Sequence, residues 1–238
     1  MDGSLQTGTT RAGGIHSNSG AKIPLALKLA YTGFVAVVAC IYWKHYTPAD
    51  FLWFCNVALL FTTLGLWLEN PLVCSMQAVG VLFWQFLWQI DFVLHATTGL
   101  ESVGAADYMF SGNVPLFVRV LSLSHLFMPY LLLWLVWRLG YDRRAVWAQT
   151  LCAWVVLIVS YALVESMEGP AGNVNKIFGL SDAGPQAYMP RSWWLGVLMV
   201  GIPLVLYVPT HWILERFLAA RGRVLESGSE GAPLAERH

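Results

Sequence analysis

The sequence predicts an all-α membrane protein, a bundle of about six transmembrane helices with both termini in the cytoplasm, and three observations carry that prediction. The chain of 238 residues is 57% hydrophobic and only 12% charged, about half the charge of an ordinary soluble domain. It contains several apolar runs near the roughly 20 residues that cross a bilayer as a helix. Many of its 12 tryptophans stand near the ends of those runs, where an indole buries its ring at the headgroup level and keeps its N–H wet.

Residues 1–22 are rich in Gly, Ser and Thr without an apolar core. They predict a disordered cytoplasmic tail and no cleavable signal. One transmembrane domain follows over 23–216, and 217–238 predict a second polar cytoplasmic tail. Six runs fill the domain: about Ile23 to Trp43, Phe51 to Leu68, Pro71 to His95, Pro115 to Trp137, Ala145 to Val164 and Trp193 to Leu214. Each is continuous rather than alternating and about twice the length of a barrel strand, so each reads as a helix. Ten of the 14 lysines and arginines fall on the side of the termini, which makes that side cytoplasmic. Zero net charge gives no reason to expect nucleic acid.

The connections differ in kind. Glu69-Asn70-Pro71 makes a tight inner turn, with proline opening the next helix where its missing N–H costs nothing. Gly140 to Arg144 makes another. Residues 96–114 and 165–191 form long outer loops, and long loops over a bundle mouth are more often functional than short ones. Pro129 should bend the fourth span, and Pro203 and Pro209 the sixth, unless neighbours satisfy the freed carbonyls. The bundle itself should be held by Gly, Ala and Ser contacts and interhelical hydrogen bonds. Cys40, Cys55, Cys74 and Cys152 form no CxxC pair and read as small buried side chains rather than a disulfide or zinc framework.

Candidate chemistry gathers in the outer half. On the third span Gln77, Trp84, Trp88, Asp91 and His95 recur at helical spacing and share a stripe. Asp91 and His95 are one turn apart, close enough to pair, which would orient the imidazole. They read as a site, or as a polar helix end meeting interfacial water. His125 falls near mid-membrane on the fourth span, with Ser122 a turn away and Arg119 a turn beyond. It reads as a packing histidine, a general base or a metal ligand. Asp50, Cys55 and Asn56 enter from the outer surface on the second span. Tyr161 and Glu165 stand one turn apart at the outer end of the fifth, followed by the loop with Asn173 and Asn175. His211, beside Trp212, Glu215 and Arg216, reads as an inner anchor. HExxH, GxSxG, P-loop and GxGxxG signatures are absent, no HxH or HxxxH pair supports a metal, and no cofactor is named by any motif.

The layout resembles the YwaF-type bacterial integral membrane proteins, whose animal relatives include a cysteine-dependent phospholipid acyltransferase. The stretch from Phe51 to Leu60 is similar to that family's Leu-His-Leu-Cys-Asp segment, and Leu123-Ser124-His125 to its Ser-His segment. Asn173 to Phe178 resembles its Asn-Tyr-Met-Phe-Leu loop, and Arg191-Ser-Trp-Trp its Trp-Pro-Trp-Tyr entry to the last span. Trp53 or Phe54 stands where the family has a histidine, Asn56 where it has an acid, and the loop lacks its tyrosine. The resemblance implies a bacterial inner-membrane location, with Cys55 as nucleophile and His125 as base; Asp91 could orient that base from the adjacent helix. His95, Trp84, Trp88, Glu165, Asn173 and Asn175 would then line the substrate. Two expectations follow from residues and resemblance together. One is an enzyme acting on a lipid or apolar acyl substrate. The other is a non-catalytic binding or accessory subunit that holds a hydrophobic cofactor or partner through a tryptophan-rich face.

Overall fold

The computed structural model describes residues 23–100, 103–112, 114–166, 172–181 and 184–218. The two predicted tails fall outside these except for Phe217 and Leu218 at the end of the last helix. Among the described residues every regular element is helical. The long ones are α1 (Leu25–His45), α2 (Phe54–Leu68), α3 (Pro71–Thr98), α4 (Leu116–Ser122), α5 (Ser124–Leu139), α6 (Ala145–Leu163) and α7 (Arg191–Leu218). With α4 and α5 taken as one span, five are long and apolar enough to cross a membrane. The second predicted span is shorter: α2 has 15 residues, about 22 Å at 1.5 Å per residue. Its first residues instead form a 3-10 turn over Pro48–Leu52, capped by reciprocal bonds between Thr47 and Asp50.

α3 is the axis of the bundle, packing on α2, α5 and α6. That position explains why so much of its polar content is tolerated: Ser75, Gln77, Gln85 and Asp91 are all buried inside protein rather than turned to an apolar solvent. The turn into α3 forms as its residues dictate. Glu69 takes the left-handed conformation at φ 48°, the Asn70 side chain accepts from the Val73 N–H at 3.2 Å, and Pro71 opens the helix. Glu69 also receives the Lys28 ammonium at 2.7 Å and the Ile23 N–H at 3.2 Å, which pins α1 to this turn. Close approach of α2 and α3 needs Gly65, where an added Cβ would stand 2.7 Å from Cys74 Sγ.

The prolines answer the question of freed carbonyls. Pro129 leaves the His125 carbonyl without its helical donor, and Gln89 Nε2 of α3 supplies one at 2.7 Å. Pro203 frees Met199 in the same way, and the indole Nε1 of Trp154 on α6 donates to it at 2.7 Å. A π turn over Pro203–Tyr207 precedes Pro209 and absorbs it. Pro129 and Pro203 are thus answered by neighbouring helices, and the same bonds tie α3 to α5 and α6 to α7.

One end of the bundle carries the inter-helix segments 103–112, 172–181 and 184–190 and is called the loop end. The other, with Arg143, Arg144 and Arg216, is the arginine end.

Candidate functional site

The loop end is organised by α3. The carboxylate of Asp91 is wholly buried, and its two oxygens accept from the Val103 N–H at 3.1 Å and the Ala106 N–H at 2.8 Å. A buried carboxylate tolerates that position because charge-assisted bonds from backbone N–H groups replace its water. Asp91 therefore holds the loop down on the bundle. The expected pairing with His95 does not form: His95 Nδ1 lies 3.2 Å from Asp107 Oδ1 in the loop instead. Two contacts from neighbouring turns of α3 thus clamp one loop.

Beneath it runs a ladder of rings. His125 lies against Trp88 (4.8 Å between centroids), Trp88 stacks on Phe92 (5.1 Å), Phe92 on Phe110 (5.4 Å), and Phe110 on His95 (4.1 Å). Trp88 is buried with Ala106 and Met109 of the loop. Trp84 is a different matter. It lies seven residues before Asp91, only about 20° round the helix, yet is 46% exposed because the loop that covers Asp91 does not reach it. It takes no part in the cluster.

His125 stands just past the break between α4 and α5. There the Leu126 N–H turns to Leu123, and His125 Nδ1 donates to the Ser122 carbonyl at 2.9 Å. A carbonyl can only accept, so Nδ1 carries the proton and Nε2 is the nitrogen left for other work. No hydrogen bond joins His125 to Asp91 or to Cys55 among the described residues. Cys55 is partly buried in the first turn of α2. It lies within interaction range of two phenols, Tyr42 of α1 and Tyr108 of the loop.

Tyr108 is the residue that sequence reading passed over. Lodged in the short turn Asp107–Met109, it drops its phenol to within interaction range of Ser122, Cys55 and Trp88. Burial there holds the phenol above its ordinary pKa. Nothing in the 96–114 stretch marked it, since a single tyrosine in a polar loop has no pattern. The signal lay in Asp91, whose cost is repaid only if a loop folds over it.

The remaining candidates are placed elsewhere. Asn175 takes the left-handed conformation at φ 51°, accepts from the Phe54 N–H at 3.0 Å and donates to the Leu52 carbonyl at 2.7 Å. It joins its loop to the start of α2. Asn173 accepts from the Phe178 N–H and donates to the Gly179 and Ser181 carbonyls, closing its own loop. Glu165 is exposed. The group that closes that end of α6 is Arg191, which donates to the Tyr161 and Val164 carbonyls and lies between the rings of Tyr161 and Phe178.

Buried polar atoms without an aligned hydrogen bond in this region include Arg119 Nε, Trp88 Nε1, which has the Tyr108 phenol within interaction range, and, one turn toward the arginine end, Gln85 Oε1. Trp88 Nε1 is a donor and Gln85 Oε1 an acceptor. The crevice lined by Val38, Tyr42, Phe51 and Asn56 nearby encloses about 10 Å³, room for about one water. No group of three His, Cys, Asp or Glu side chains among the described residues is placed to hold a metal.

Comparison with known proteins gives no match: no family model fits the chain, and no characterised protein or solved structure is similar to it.

Proposed function

We propose that the protein is a six-span membrane protein, with α2 as a short span and the arginine end in the cytoplasm. On this reading it holds an apolar, lipid-like ligand with a polar end in the outer half of its bundle, in a binding or accessory role. The observation that carries this is the pair Trp88 Nε1 and Gln85 Oε1, buried and unpartnered on successive turns of α3. A ligand hydroxyl can accept from the first and donate to the second. Aromatic walls from Trp88, Phe92 and Phe110 suit its apolar body. The loop latched by Asp91 and His95 closes over them, and Tyr108 would have to move aside when the ligand enters.

The polar residues favour holding over reacting. Asp91 is engaged with loop amides, His95 with Asp107, and His125 Nδ1 with a broken helix turn, so the acid-to-base relay expected of an acyltransferase is not assembled. The enzyme reading keeps one favourable observation: Cys55 borders Tyr108, and His125 borders Trp88, so both flank the same pair of residues. In that reading Cys55 Sγ would attack the carbonyl of an acyl ester, forming a thioester as the ester C–O bond breaks, while His125 Nε2 takes the thiol proton and passes it to the departing alcohol oxygen.

One experiment separates the two. Membranes containing the full chain are treated with a long-chain alcohol bearing a photoreactive diazirine, and separately with a lipid-like acyl electrophile. Binding predicts photolabel on the Trp88 and Tyr108 peptides that falls away in Trp88→Phe/Gln85→Leu, with no acylation of Cys55. Acylation at Cys55 that disappears in His125→Ala would replace the binding reading by the enzyme. No photolabel at either peptide would sink the ligand site.

A further inference from the structure

The arginine end carries a second polar cluster, larger than the inner anchor expected from His211. Tyr207, His211 and Glu215 follow one another every four residues and share a face of α7. Glu215 pairs with Arg143 and stands 3.6 Å from His211 Nε2. The Tyr141 hydroxyl lies 2.6 Å from His211 Nδ1, at hydrogen-bond distance. Glu215 with Trp212 and Arg216 also borders an open hollow of about 300 Å³ at the surface. The stripe therefore leads from this end inward.

One turn deeper, the polar atoms lose their partners. Tyr207 is 1% exposed and its hydroxyl makes no hydrogen bond. Gln149 of α6 lies beside it at interaction range, without the alignment of a hydrogen bond, and its Oε1 is equally unpartnered. The Gln149 side chain is seated on Gly80 of α3, where a Cβ would come within 2.4 Å of its amide nitrogen. Gln77, one turn before Gly80, is buried with Nε2 unpartnered. A buried polar atom that nothing satisfies is costly. Three helices converge to place them, so something does.

The donor inventory says what. An amide N–H, an amide oxygen and a phenol that can both give and accept carry no charge among them. That set excludes a bare cation or anion and fits a small neutral hydrogen-bonding molecule, of which water is the smallest. We propose that Tyr207, Gln149 and Gln77 form a hydrated site within the bundle, filled with ordered water from the arginine end along the Tyr207–His211–Glu215 face.

Tyr31 supplies the control. It is buried nearly as deeply, but its hydroxyl reaches the Leu59 carbonyl and Met128 Sδ, both at 3.3 Å. The full chain in nanodiscs is exposed to short X-ray pulses, and hydroxyl-radical oxidation is read by mass spectrometry, because radicals form where water is held. Tyr207 is expected to oxidise several-fold faster than Tyr31. Gln149→Leu should bring it down to the Tyr31 rate, and His211→Leu should slow it by closing the approach. Equal protection of Tyr207 and Tyr31 in the unsubstituted protein overturns the proposal, and that comparison needs no variant to fold. Fast oxidation of Tyr207 that persists in a folded Gln149→Leu protein overturns it as well.

Discussion

Replacing Asp91 by asparagine tests the claim that this carboxylate is the latch of the loop. Both N–H groups that reach it, from Val103 and Ala106, lie within hydrogen-bond distance, and the side chain is wholly buried. Asparagine keeps the shape but offers one oxygen, turning an NH2 toward the second N–H. One hydrogen bond to a charged group, worth about 1.5–3 kcal/mol, is lost, and the N–H it served is left unsatisfied. The loop should therefore open more easily by about 2–3 kcal/mol, which is about 30- to 100-fold in an opening equilibrium. Amide exchange in nanodiscs reads this at Val103 and Ala106, with α6 amides as the internal reference. Asp107→Asn should shift the same amides far less, since its partner His95 lies on a partly exposed pair and such pairs contribute about 0–1 kcal/mol. Unchanged protection of Val103 and Ala106 in Asp91→Asn, in a folded protein, would refute the latch.

Three further outcomes follow from the packing. Gly65→Ala should destabilise the protein in thermal unfolding by about 1–3 kcal/mol through overpacking against Cys74 Sγ, and Cys74→Ala should restore much of the loss by removing that sulfur. Gln89→Leu should cost about 1–3 kcal/mol by orphaning the His125 carbonyl; in a Pro129→Ala background, where the new alanine supplies the helical N–H, the same change should cost much less. Asp142, between α5 and α6, is held below the ordinary carboxylate range by the hydrogen bonds and charge of Arg144. Its folded value is depressed, so its contribution is present at neutral pH and lost as pH falls through that value. Unfolding temperature should drop on acidification below about pH 4, and less so in Asp142→Asn.

Much of the architecture was legible because a bilayer leaves few choices. Continuous apolar runs gave the helices, proline and asparagine gave the turn at Glu69 to Pro71, and basic residues sorted the two ends. The second span was expected to begin at Phe51, but Phe51 and Leu52 close a separate turn capped by Thr47 and Asp50, and the helix begins at Phe54. The fourth was drawn too smooth. Ser122-Leu123-Ser124 contains no proline or glycine to announce its break, and only the bond from His125 to the Ser122 carbonyl shows how the broken turn is repaired.

The site was harder to read for a physical reason. Sequence spacing places residues on a helix face, but a polar residue at a helix end takes its partner from whatever chain folds back over it. Asp91 and His95 are spaced to meet each other, yet each bonds to the loop: the buried main-chain N–H of Ala106 needs the Asp91 carboxylate as acceptor, and His95 meets the Asp107 side chain. The same principle works in the opposite direction for Gln89 and Trp154. Both would be read as interface or packing residues, and both are answers to a proline in a neighbouring helix. In a chain with little water to fall back on, the backbone claims most of the polar side chains first. Among those left with an unpartnered buried atom, Gln85, Trp88, Gln77, Gln149 and Tyr207 are therefore more informative about ligands than the histidines and acids that look most like chemistry.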